Sequence, residues 1–189
     1  MDKFDDNHYI KRVINGEPAA FAPIVERYRD MAYNISLRVV RRPEDAEEVT
    51  QDAFIKAYRS LKGFKGESRF STWLYRIVYN TSVSYLRKKG REVLYDSSDR
   101  HMLKYAELPE DNEMKDDDLL ASALKMALDK LPAAEQTMIT LYYFEESSIE
   151  EIAGIMDLSV SNVKVKLFRT RKKLYEMINH IMKNEVPLN

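Results

Sequence analysis

Apolar residues in this chain recur at intervals of three and four and almost nowhere at intervals of two, which removes most sheet-containing folds from consideration. Phe21, Ile24, Val25, Tyr28, Met31, Ala32 and Ile35 mark one buried stripe of a helix running to about Val40. Pro23 fits such a helix only in its first turn. The helix therefore begins near Ala20 to Ala22, or the preceding turns form a separate short helix from about Asn7. A second helix opens on Pro43 and carries Ala46, Val49, Ala53, Ala57 and Leu61 on one face. Two glycines in "GFKGES" interrupt the pattern, and a third long helix starts near Ser71 and reaches about Lys89. With only five glycines in 189 residues, the expected fold class is all-α.

Composition changes after Gly90. "DSSDRHMLKYAELPEDNEMKDDD" is acidic, aperiodic and interrupted by proline, and reads as a flexible linker. It is either simply solvated or an acidic mimic that shields basic surfaces nearby. Helical periodicity resumes at Leu119 and continues to about Lys130, then through "LPAAEQTMITLYYFEE" and the segment beyond. Two small helical domains follow, residues 1–92 and 119–183, with a linker over 93–118 and a short tail over 184–189. A flexible linker would hold the two at no fixed distance.

The formal net charge is only -1, yet residues 159–173, "SVSNVKVKLFRTRKK", hold six basic side chains and no acidic one. Upstream, Ser147 or Ser148 is placed to cap a short helix to about Met156, with Glu150 or Glu151 near the capping-box position. "DLS" makes a tight turn, after which Ser159 or Ser161 caps a longer helix. This is a helix-turn-helix, the arrangement that seats its second helix in a DNA major groove. Val160, Val163, Leu167, Leu174, Ile178 and Ile181 project to one inward face. Ser161, Asn162, Val165, Lys166, Arg169, Lys172 and Lys173 face outward, a mixture of base-reading and phosphate-neutralising groups. Val165 either meets a thymine methyl or packs on a neighbouring helix.

On the third helix Phe70, Trp73, Leu74, Ile77 and Thr81 project inward, while Arg69, Arg76, Asn80, Val83 and Arg87 share another face. A basic stripe near Trp73, Tyr75 and Tyr79 offers charge for a backbone and rings for exposed bases, as opened DNA requires. The second helix has the opposite sign. Glu44, Asp45, Glu48, Gln51, Asp52 and Ile55 project outward, a surface suited to a basic protein partner. Tyr142, Tyr143 and Phe144 at this spacing are expected in the core.

Other classes fit poorly. No apolar run is long enough to cross a bilayer and the charged start is unlike a signal peptide, so no membrane insertion and a cytoplasmic location are expected. Absence of cysteine fits a reducing compartment and excludes thiolate chemistry. His8, His101 and His180 are scattered and no glycine-rich phosphate loop occurs, so neither an enzyme nor a cofactor or metal site is expected. A dimeric helix-turn-helix regulator would not need a separate basic stripe and an acidic helix.

"AEEVTQDAFIKAYRSLKGFKGESRFSTWLYRIVYNTSVSYLRKKGR" and "SIEEIAGIMDLSVSNVKVKLFRTRKKL" together resemble sigma region 2 and sigma region 4 of bacterial sigma factors of the extracytoplasmic-function group. The resemblance implies a transcription initiation factor that binds core RNA polymerase. By it, the segment with Asp45, Glu48, Gln51, Asp52 and Phe54 docks on the β′ clamp helices. Lys65, Gly66, Glu67 and Ser68 form the loop that captures a flipped base of the -10 element, and Asn80, with the basic Arg76 and Arg87, reads that element. Ser161, Asn162, Lys164, Val165, Lys166, Arg169, Arg171 and Lys173 read the -35 element, and the preceding helix also meets the β flap. An anti-sigma factor that occludes these surfaces is a further implied partner. Where the family often has glycine, threonine and arginines at the start of the reading helix, this chain has Ser161, Asn162, Lys164 and Lys166. Lysine is a point charge rather than a bidentate fork, so a promoter sequence does not transfer.

Overall fold

The computed structural model describes residues 5–90 and 116–185, and among them every regular element is helical. The first half holds α1 (Asp6–Ile14), a 3-10 turn (Pro18–Phe21), α2 (Ala22–Val40), α3 (Pro43–Ser60) and α4 (Phe70–Lys88). The second holds α5 (Asp116–Asp129), α6 (Ala133–Tyr143), α7 (Ile149–Met156) and α8 (Val160–Glu185). Both readings of the Pro23 region are met: a short helix precedes, and Pro23 then sits in the first turn of α2, where its missing N–H costs nothing. The expected linker lies largely outside the described residues, and α5 begins three residues before Leu119.

In the first half α2, α3 and α4 pack on one another through Ile24, Ile35, Val49, Ala53, Leu74 and Val78, all fully buried. Alanines at 46, 53 and 57 let α3 approach closely, and each buried large aliphatic contributes about 1.5–3 kcal/mol. In the second half Leu131, Met138, Leu141, Ile152, Ile155 and Val163 form the corresponding core.

The two halves are not at an arbitrary distance. α4 lies along α7, and α2 lies against α6, so one continuous apolar core links both. The sequence reading put the two domains at no fixed distance; in the structure they are packed on each other, and the cause is visible on α4. Tyr75, Val78, Tyr79, Ser82 and Leu86 are buried as well as the predicted Phe70, Leu74 and Thr81. α4 is covered on two faces instead of one. Tyr75 and Tyr79, expected beside the basic stripe as stacking rings, are 2% and 4% exposed and belong to this core.

Candidate nucleic-acid interface

The helix-turn-helix is built by two serine caps and one left-handed turn. Ser148 Oγ accepts from the Glu151 N–H at 3.1 Å, and the Glu151 carboxylate accepts from the Ser148 N–H at 2.8 Å, a complete capping box. Asp157 at φ 56° ends α7, and its N–H bonds to the Ala153 carbonyl. Ser159 then opens α8 by accepting from the Asn162 N–H at 3.2 Å. Val163, Leu167, Thr170, Leu174 and Ile181 face inward, whereas Val160, predicted inward, is 37% exposed because it occupies the first position of the helix beside the turn.

Of the residues expected to read a -35 element, Ser161, Asn162, Lys164, Val165, Arg169 and Arg171 stand exposed together at the start of α8. Lys166 and Lys173 are half-buried, and Lys173 Nζ lies 3.7 Å from Glu135 of α6, so it ties α8 to its own domain. Val165 is 46% exposed and does not pack on a neighbouring helix as core. One turn on, Phe168 is 65% exposed, which the sequence reading missed. The signal was available, since Phe168 follows Val165 by three on a face otherwise carrying Lys164, Arg169 and Lys172.

The loop with Lys65, Gly66, Glu67 and Ser68 is exposed throughout. Gly66 has φ 74°, a conformation that disfavours any residue with a Cβ. Phe64 anchors the loop by packing edge-on against Phe70 and tilted against Trp73, with ring centroids 5.5 and 5.4 Å apart. Arg76, Asn80 and Arg87 are exposed along α4. The loop and these three residues therefore lie in the first half of the chain, the loop leading directly into α4.

The acidic helix needs correction. Glu48, Gln51 and Asp52 are exposed on α3, with Glu44 and Ile55 beside them. Asp45 is only 7% exposed: it accepts from Tyr85 Oη at 2.8 Å and from Lys89 Nζ at 3.0 Å. Burial by itself would raise its pKa, but the bonds from Lys89 and Tyr85 hold the carboxyl below its ordinary range. Asp45 therefore fastens α3 to the end of α4. Phe54 is also buried, edge-on to Phe21 at 6.5 Å. Glu48 accepts from Tyr85 at 3.1 Å, which leaves Asp52 as the cleaner exposed acid. At the end of α6, Tyr143 and Phe144 are 51% and 63% exposed, contrary to the expectation that they are core.

Among the described residues no helix is long and apolar enough to cross a membrane, and no cluster of His, Cys, Asp or Glu is arranged to hold a metal.

A helical domain with an acidic face and a loop-plus-stripe, joined to a capped helix-turn-helix, defines a class that family models recognise. Residues 24–92 match Sigma-70 region 2 and residues 121–174 match Sigma-70, region 4. The chain belongs to the sigma-70 family, in its extracytoplasmic-function group. Among its relatives is the ECF RNA polymerase sigma-E factor of Haemophilus influenzae, 36% identical over 190 residues, covering 96% of this chain and 99% of the relative. The RNA polymerase sigma-H factor of Pseudomonas aeruginosa is 33% identical, covering 94% and 96%. SigW of Bacillus subtilis, an ECF RNA polymerase sigma factor, is 32% identical, covering 91% and 96%. The fold is shared with CnrH, solved with the cytosolic domain of CnrY (TM-score 0.63, 22% identity, covering 93% of this chain and 97% of that one). It is shared also with RpoE of Bartonella quintana, solved with the anti-sigma factor NepR (TM-score 0.61, 24% identity, 84% and 96%). Members of this family are initiation factors and not enzymes.

Proposed function

We propose that this chain directs core RNA polymerase to promoters by reading a -35 element as duplex through the start of α8 and a -10 element as opened DNA through the 65–68 loop and α4. The observation that carries the reading is the segregation of exposed charge: acidic Glu44, Glu48 and Asp52 on α3, and basic Lys164, Arg169 and Arg171 on α8. Arg, Lys and Asn groups at a helix start suit phosphate contact and base readout, while an acidic face repels DNA and attracts a basic protein. The acidic face is assigned to the β′ clamp helices, and the exposed Tyr143 and Phe144 to the β flap. Relatives solved with CnrY and NepR suggest that a dedicated anti-sigma factor holds this chain inactive. Its place of action is the cytoplasm, where polymerase and promoters are.

The test is run-off transcription from a fragmented genomic library with purified bacterial core polymerase, with and without the chain, alongside Asp52→Lys. New discrete start sites that Asp52→Lys loses establish an initiation factor docked through α3. Absence of new transcripts, together with tight binding of the chain alone to one palindromic duplex, would establish an autonomous helix-turn-helix regulator instead.

A further inference from the structure

Six basic side chains lie between residues 159 and 173, and α8 does not present them alike. Asn162, Lys166, Arg169 and Lys173 follow one another at helical spacing and form one stripe along α8. Asn162 and Arg169 are exposed, whereas Lys166 and Lys173 are half-buried. The cause lies on α6, which packs on α8. Glu135, in the first turn of α6, has its Oε2 shielded from solvent, where it accepts no hydrogen bond. Lys173 Nζ stands 3.7 Å from that oxygen. Glu135 and Lys166 also line one small cavity of about 20 Å³, together with Met138, Met156 and Leu158.

A shielded carboxylate oxygen in apolar surroundings is costly unless a cation stays beside it. Moving Lys173 out to a phosphate would strand that charge. Lys172 shows the contrast. Its acid, Glu176, lies one turn further along α8 at 3.9 Å, and the two side chains are 71% and 64% exposed. Water and salt screen such a pair, so Lys172 leaves it for a phosphate at little cost.

We infer that Glu135 is a positioning residue for DNA binding: it holds Lys173 and Lys166 against α6, so that four of the six cations, Lys164, Arg169, Arg171 and Lys172, are left to meet phosphate. The inference rests on the proposed role of α8 as the helix that binds duplex. Its effect falls on the sequence-independent part of binding, because cations on phosphates add affinity for every duplex alike. The test therefore needs no promoter sequence.

The experiment is a salt titration of the full chain on a mixed-sequence duplex of about 20 base pairs, read by fluorescence anisotropy from about 50 to 200 mM salt. Log affinity falls against log salt with a slope of about -0.9 for each phosphate neutralised. Glu135→Gln should tighten binding and steepen the slope, by about 0.9 for release of Lys173 alone and about 1.8 for release of both lysines. For one lysine, the gain in affinity should shrink about 3.5-fold across that salt range. Adding Lys166→Gln and Lys173→Gln to Glu135→Gln should take the gain away. Glu135→Leu, which suits the neighbouring Met138, Met156 and Leu158, also deletes the charge and should steepen the slope equally, so it serves in place of an amide variant that does not fold. Thermal unfolding identifies the folded variants. An unchanged slope in a folded Glu135 variant, or a gain that survives replacement of both lysines, would overturn the inference. Lys164→Gln tests the reading beneath it and should flatten the slope by about 0.9. A parent without salt-sensitive binding, or a Lys164→Gln that leaves the slope where it was, would remove α8 as the duplex-binding helix and the inference with it.

Discussion

Breaking the Arg69–Glu151 pair gives a number that the structure specifies closely. Glu151 accepts two bonds from Arg69, one from Thr72 and one from the Ser148 N–H. The bonds from Arg69 are the main reason its carboxyl is held at about 2, against an ordinary 4.5, with burial pulling the other way. At 1.36 kcal/mol per tenfold, that displacement corresponds to roughly 3 kcal/mol in favour of the ionised form. Arg69 is 53% exposed, and solvent screening reduces the pairwise share to about 1–2 kcal/mol. A double-mutant cycle with Arg69→Ala and Glu151→Ala isolates it, because the lost helix cap is common to both chains that lack Glu151 and cancels. Urea unfolding of the four proteins should give a coupling of about 1–2 kcal/mol at neutral pH. A depressed carboxyl stabilises only while ionised. The coupling should therefore be complete above about 4.5, where the unfolded group is also charged, and fade as pH falls through about 2. Arg69 stays charged throughout, and Glu145, the other acid facing it, acts in the same sense. A coupling below about 0.3 kcal/mol at neutral pH would refute this account of the interface.

Three further outcomes are expected. Gly66→Ala should cost about 1–2 kcal/mol in thermal unfolding although its new Cβ meets nothing within 4 Å, since the penalty is purely backbone; a neutral alanine would show that the loop turns differently. Asp45→Asn should lower the stability of residues 5–90 and leave core polymerase affinity nearly intact, the reverse of Asp52→Lys; a lost affinity with unchanged unfolding would restore Asp45 to the docking surface. If Val165 covers a thymine methyl, replacing that thymine by uracil in a -35 duplex selected by the holoenzyme should weaken binding by about 0.8 kcal/mol, and Val165→Ser should abolish the difference. Equal affinity of the parent for both duplexes would exclude that contact.

The helices were legible because their three/four spacing survives any tertiary arrangement, and the capping box at Ser148 and Glu151 is a local chemical pattern. What could not be read was which faces a helix buries when more than one neighbour covers it. A projection of α4 with a single inward face puts Tyr75 and Tyr79 beside the arginines, although both are core residues. Asp45 belongs to the same class of error: its partner Lys89 is 44 residues away, and nothing at short range distinguishes it from Asp52. The sequence places Glu150 or Glu151 near the cap and the structure selects Glu151, yet its grip on Arg69, 82 positions upstream, is a property of the folded chain alone.

That one carboxylate closes both a helix cap and a contact between halves has a genetic consequence. A single change in the first codon position converts Glu to Gln, keeping the cap, the helix and the fold while deleting the charge. Such an allele would pass a screen for folded protein while loosening the contact that Arg69 and Thr72 make with α7. Screens for a loosened contact between the halves should therefore return to codon 151, and after it to codons 69, 72 and 145, more often than to codons of exposed residues.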